Sequence, residues 1–216
     1  MSSIIDITVS LRNETVVWPG DTPFKRVVEH SFEDGSSYVL SHLLMTAHAG
    51  THIDAPLHVI EGGKSVEKLD PGIFIGPCRV VLHEKDRHIF SGDIDKMHLD
   101  GVERVLFRTR NSQLWDVPSF REDYVALTVS AAEKLVDLEV KLVGLDYLSI
   151  GPFGEEDEEI HRILLGNQVI VMESLDLRNA EPGDYELIAL PLKIVGGEAA
   201  PVRAVLRSPA SVEELS

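Results

Sequence analysis

The residues with the clearest chemical potential lie in one run, His48-Ala49-Gly50-Thr51-His52-Ile53-Asp54-Ala55-Pro56-Leu57-His58. Three histidines and one aspartate fall within eleven positions, with a glycine and a proline between them to turn the chain. Imidazole nitrogen together with carboxylate oxygen is the donor mixture that zinc, manganese and iron accept. His48, His52 and Asp54 suffice for one such ion, which keeps a position for water and acidifies it towards neutrality. His58, four residues past Asp54, reads either as a further ligand or as a general acid and base.

A second ion needs more ligands, one of them preferably shared. His161 and Glu173 are the candidates. Glu173 ends the apolar run Val169-Ile170-Val171-Met172, where a buried charge must be paired or bound to metal. The plainer alternative is a strand that surfaces at Glu173. Among the remaining histidines, His42 alone would share a strand face with His48. His30, His83, His88 and His98 lack a comparable cluster of ligand types around them and read as surface or partly satisfied histidines. Cys78, the one cysteine, sits at the entry to an apolar strand, which suits packing rather than reactivity. No phosphate-cradling glycine loop or nucleophile elbow appears.

These side chains need elements to hold them. Alternating, β-branched residues 3–11 read as a strand, and Trp18-Pro19-Gly20-Asp21-Thr22-Pro23 as a loop in which Trp18 either anchors on the core or faces a substrate. Residues 25–32 and 37–47 read as strands about an Asp34-Gly35 turn, the second leading into the histidine run. Within that run, helical spacing would group His48 with His52, and an extended chain would group His52, Asp54 and His58. Gly50, Thr51 and Pro56 argue against a continuous helix. Residues 60–78 are loop-rich. Strands are predicted at 79–83, 103–109, 141–146, 168–173, 185–190 and 202–207. A short helix is predicted over 91–99 with Ser91 as its cap, and residues 111–122 read as loop. A Ser130-x-x-Glu133 capping box opens a helix to about Glu139, and residues 155–165 form another with acids on its first turn. Residues 208–216 are a polar tail.

The chain has 216 residues, 44% hydrophobic and 26% charged, enough for one well-filled core. Its formal charge of −16 repels nucleic acid and anionic membranes. No apolar run approaches the length of a membrane helix, and the N-terminus lacks the basic, apolar pattern of a signal peptide. A soluble, cytoplasmic protein without nucleic-acid or membrane partners is expected. Many strands with few helices make the fold α/β, a single domain over residues 1–216 with a mixed sheet or barrel.

These residues also resemble the putative cyclase family, whose best-known members are bacterial kynurenine formamidases. The resemblance is carried by His48-x-Gly50-Thr51-His52-x-Asp54-x-Pro56-x-His58, by Trp18-Pro19-Gly20-Asp21, by Gly144-Leu145-Asp146 with Ser149-Ile150, and by His161-x-x-Leu164-Leu165. Glu173-x-Leu175, Leu190-Pro191-Leu192 and Pro201-Val202-Arg203-Ala204 extend it along nearly the whole chain. It implies a barrel-like β core of the swivelling β/β/α kind, and two divalent ions, zinc first and manganese second. His48, His52 and Asp54 would hold one ion and His161 the other, with Asp54 and Glu173 bridging. His58 would be the general acid and base, and Trp18 would line the substrate pocket.

The implied activity is hydrolysis of an aryl formamide such as N-formylkynurenine, a small-molecule substrate, in tryptophan catabolism by a homodimer or tetramer. A hydrolase of cyclic amides or lactones, or a non-catalytic metal module, are the rival readings. The chain departs from the formamidase pattern at Tyr147, where a smaller residue is usual, and at Gly151, where an aspartate is usual. Both departures are expected in a pocket loop and bear on the substrate.

Overall fold

The computed structural model describes residues 3–208, so the polar tail expected at the C-terminus lies, from residue 209 on, outside the described residues. In chain order the strands are β1 (Ile4–Asp6), β2 (Lys25–His30), β3 (Leu40–Leu44), β4 (His52–Asp54), β5 (Ile75–Leu82), β6 (Arg104–Arg108), β7 (Leu142–Leu145), β8 (Ile170–Glu173), β9 (Gly183–Ile188), β10 (Ala199–Pro201) and β11 (Val205–Arg207). The helices are α1 (Ser91–Ile94), α2 (Val129–Asp137) and α3 (Glu155–Gly166).

Nine strands make one sheet in the order β1-β11-β9-β5-β6-β7-β8-β4-β10. β5 to β8 are mutually parallel, and the strands on either side join antiparallel. Parallel strands buried on both faces should be continuously apolar, and β7 and β8 are buried at every position. Their alternate side chains serve two cores. Val143, Leu145 and Val171 face a core covered by α2 and α3, while Leu142, Ile170 and Met172 face a second.

That second core also takes Ile53 from β4, Cys78 and Val80 from β5, Leu187 from β9 and Leu206 from β11. Strands from both ends of the sheet meet there because the sheet curls into a half-barrel. The curl is fastened where Thr8, just past β1, forms an antiparallel bridge with Leu175, just past β8. The expected mixed, barrel-like α/β architecture is therefore present.

Several boundaries differ from the sequence expectation. The strand predicted at 79–83 begins at Ile75 and runs through Pro77, which pairs with Glu186 of β9. Buried Arg104 donates to the carbonyls of Ile73, Gly72 and Pro77, fixing this awkward stretch. Thr128, not Ser130, caps α2 by accepting from Ala131 N. Residues 110–116 form a 3-10 helix rather than loop, opened by Thr109 and tied to Asp146 through Ser112. The N-terminal strand is confined to Ile4–Asp6, and β10 was not anticipated.

α3 buries Ile160, Leu164 and Leu165, each contributing roughly 1.5–3 kcal/mol by leaving water. His161 shares that buried face. β2 and β3 form a separate two-stranded sheet whose Val27, Val28, Leu40, Leu43 and Leu44 are all exposed. His42 lies on this hairpin, exposed and hydrogen-bonded to Glu29 at 2.6 Å. No helix among the described residues is long and apolar enough to cross a membrane.

Candidate metal centre

β4 and β8 run side by side with His52 opposite Glu173 and Asp54 opposite Val171. Side chains alternate across a strand, so His52 and Asp54 leave one face while Ile53 enters the core on the other. Two turns complete the segment. Upstream, Gly50 has φ +70°, and a Cβ there would lie 2.6 Å from Leu11 Cδ2, so glycine permits the sharp bend between His48 and His52. Downstream, a 3-10 turn at Pro56–His58 folds His58 back over the site. Its ring centroid lies 4.5 Å from that of His48 and 5.6 Å from that of His161. Extended geometry thus holds only for His52 to Asp54. His161 comes from α3 and Glu173 from the end of β8, where Ser174, at φ 57°, turns the chain out of the sheet.

The predicted residues converge. Asp54 Oδ1 is 3.0 Å from His48 Nδ1 and 3.5 Å from His52 Nε2, and Asp54 Oδ2 is 3.6 Å from His161 Nε2. Glu173 Oε2 is 3.4 Å from His52 Nε2, and Glu173 Oε1 is 3.2 Å from His161 Nε2. Ile150 N–H donates to Glu173 Oε1 at 2.7 Å and anchors it. His52 Nδ1–H donates to the Gly50 carbonyl and His161 Nδ1–H to the Asp157 carbonyl, both at 2.8 Å. These bonds fix the tautomers and aim both Nε2 lone pairs at the carboxylates, as metal-ligating imidazoles are usually held.

The donor set fits a divalent cation. Both Asp54 oxygens are buried, and no hydrogen bond of good geometry reaches either, a costly state for a carboxylate unless a cation meets it. His48 Nδ1 and His52 Nε2 stand 3.3 Å apart. Two donors each about 2.1 Å from one tetrahedral ion stand about 3.4 Å apart. The observed separations cluster around that value.

Electrostatics point the same way. Burial alone would depress His48, but Asp54, Glu173 and Glu198 outweigh it and raise the imidazole to about 9. Burial also opposes the His161 cation, and Asp54 and Glu173 overcome it, holding its pKa well above the ordinary value. Burial would raise Asp54, yet His52, His161 and His48 hold it well below the carboxylate range. Burial and the charge of Asp54 would raise Glu173, and His161 and His52 bring it below its usual value. Each buried acid depends on positive charge from its neighbours, so the protein alone is short of cations here.

His58 behaves differently. Although it is the exposed member, low-polarity surroundings disfavour its cation most, the attraction of Asp54 and Glu173 opposes this, and repulsion from His48 and His161 adds to it. Its pKa falls below the ordinary imidazole value.

A cavity of about 170 Å³ opens onto the cluster, lined by Trp18, Asp21, His48, His58, Leu148, Ser149, Asp157, His161 and Glu173. Trp18 packs edge-on against Phe120 at 5.3 Å and leans on Phe153 at 5.5 Å. Tyr147 is not in the cavity wall. It is buried behind, 4.9 Å from the ring of Tyr124, with its hydroxyl accepting from Arg121 N. Asp157 was missed by the sequence reading, which took the acids of residues 155–158 as a match to the helix dipole. Its i,i+4 relation to His161 was the available signal. Burial pushes its carboxyl up.

The family described as putative cyclase matches residues 5–152. Kynurenine formamidase of Bacillus cereus is 37% identical over 206 residues, 95% of this chain and 98% of that protein. The kynurenine formamidase of Salinibacter ruber is 42% identical over 207 residues, 95% of this chain and 97% of that protein. A solved structure of a predicted metal-dependent hydrolase from Bacillus stearothermophilus superposes with a TM-score of 0.83 at 31% identity, covering 97% of this chain and 100% of that one. With a buried cluster of imidazoles and carboxylates fitted to a divalent cation, and relatives matched over nearly their full length, the chain is a metal-dependent hydrolase belonging to the putative cyclase family.

Proposed function

We propose that the chain hydrolyses aryl formamides, with N-formylkynurenine as the specific candidate, using two divalent ions, zinc first and manganese second. One observation carries the two-ion reading. Each buried carboxylate divides its oxygens, Asp54 Oδ1 and Glu173 Oε2 facing His52, Asp54 Oδ2 and Glu173 Oε1 facing His161. His48 and His52 would hold one ion and His161 the other, with Asp54 and Glu173 shared between them. When bound, such ions polarise a carbonyl and acidify a water.

The rest of the chemistry falls to side chains. His58, with its depressed pKa, is a neutral base at pH 7 and takes a proton from the attacking water. It returns that proton to the anilide nitrogen as the C–N bond breaks, so formate and arylamine depart. Trp18 offers its indole face to the aryl ring. The Ile150 N–H keeps Glu173 in place throughout.

Elemental analysis and turnover of N-formylkynurenine test this reading together. Two ions per chain and release of kynurenine are expected, and one tightly held ion per chain overturns the two-ion mechanism. His58→Ala should keep its metal and lose roughly 10²–10⁴ in kcat. Full turnover by that variant removes His58 from the role.

The protein is also proposed to assemble with copies of itself. A two-stranded sheet is marginal alone in water, and the β2–β3 hairpin exposes apolar side chains on both faces. A second copy of the chain supplies the cover.

A further inference from the structure

The loop from Ser149 to Gly151 and the first turn of α3 are built around one carboxylate. Ser149 Oγ–H donates to Asp157 Oδ1 at 2.5 Å, and the Tyr124 hydroxyl donates to the Gly151 carbonyl at 2.5 Å. Gly151 is buried against Asp157. A Cβ at 151 would lie 2.6 Å from Asp157 Oδ1 and 2.7 Å from Asp157 Cα. The second of these atoms is backbone and cannot swing away. Only glycine at 151 lets α3 approach closely enough to place this carboxylate in the cavity wall.

There Asp157 is 22% exposed and shares the cavity with the Trp18 ring. Oδ1 is occupied by Ser149, and among the described residues nothing donates to Oδ2. The neighbouring lining residue Asp21 adds a second negative charge. No lysine or arginine lines the cavity among the described residues. An aromatic wall beside an unshared carboxylate suits an aromatic molecule that carries a cation. Apart from the imidazoles of the metal cluster, the wall offers no cationic side chain to an anionic group on the same molecule.

We infer that Asp157 is a specificity-determining residue that takes the ammonium group of the substrate. The preferred class is N-formylarylamines bearing a primary ammonium on the ring's side chain, with any carboxylate on that side chain dispensable. This rests on the formamidase reading above. Asp157 touches substrate but moves no proton in the reaction.

Three substrates test it: N-formylkynurenine, the corresponding amine without its carboxylate, and N-formyl-2-aminoacetophenone, which has neither group. The wild type should show a KM for the decarboxylated amine no higher than for N-formylkynurenine, and a higher KM for the neutral ketone. Asp157→Asn keeps the Ser149 hydrogen bond and removes only the charge. It should raise KM for both amine-bearing substrates about tenfold or more, leave kcat and metal content unchanged, and shift the neutral substrate by less than about twofold. Gly151→Ala, which displaces Asp157, should also raise KM for the two amine-bearing substrates more than for the neutral one, but because the Asp157 carbonyl holds His161 it is scored only on that KM difference and not on kcat or metal content. An equal loss on all three substrates would mean that Asp157 acts only through His161, and no change on any would mean that it contacts none; either overturns the assignment while leaving the formamidase reading intact. A wild-type protein inactive on all three overturns both.

Discussion

The charge balance around Asp54 makes a prediction that can be worked through in numbers. His48 is raised from 6.5 to about 9 in the folded protein without metal. A group whose folded pKa lies above its unfolded value stabilises the fold fully below the unfolded pKa, and that contribution fades as pH rises through the folded one. The 2.5-unit shift, at about 1.36 kcal/mol per unit, corresponds to about 3.4 kcal/mol from His48. Metal-free protein should therefore lose about 3 kcal/mol of stability between pH 6.5 and 9. With an ion bound, His48 is a neutral ligand and this loss disappears. The assay is urea unfolding at a series of pH values, for chelator-stripped and metal-loaded protein. The gap between the two should widen as pH rises, because protons and metal compete for the same nitrogen. Two parallel profiles separated by a constant offset would refute the reasoning, since they would mean that His48 does not share its site with the ion.

Glu173→Gln should cost metal, because an amide cannot present oxygen to both His52 and His161; elemental analysis should find less than the wild-type content, and an unchanged content would remove Glu173 from the ligands. Asp93 accepts from Lys85, Arg87 and the Phe90 N–H, and the Arg87 guanidinium leads in holding it far below the usual carboxylate range. Asp93→Asn should destabilise by about 2–3 kcal/mol in urea unfolding at pH 7, with the deficit shrinking only in strong acid, where the wild-type carboxylate also becomes protonated. Leu43→Glu on the exposed hairpin should lower the mass found by light scattering if copies of the chain cover that surface, and an unchanged mass would place the interface elsewhere.

What was legible in the sequence follows how local each feature is. His48, His52, Asp54 and His58 lie within one turn-strand-turn, so their donor types and spacing announced a metal site directly. His161 and Glu173 are brought there by α3 and β8, and no local pattern signals that pairing. Residue chemistry alone made them candidates, and the family resemblance supplied their roles. The same limit explains the strand at Ile75: Gly76 and Pro77 argue for loop locally, and only Arg104, far along the chain, satisfies the carbonyls that make a strand tenable. Tyr147 shows the converse. As a substitution it suggested a change in the pocket, yet its ring fills the aromatic cluster behind the wall. Gly151 is the departure that reaches the cavity, through the carboxylate it makes room for.

The pairing of β4 with β8 and with β10 joins residues more than a hundred positions apart. Such contacts carry large loop-closure entropy and form slowly. The cluster at Asp54 therefore needs β4 paired with β8 and α3 docked beside them, and contacts of such sequence separation are expected late on the folding route. An ion that recognises the finished cluster adds nothing to a transition state in which these strands are still apart. Its stabilisation appears instead as slower escape from the native state, so metal should lengthen the lifetime of the fold while leaving its rate of formation almost unchanged.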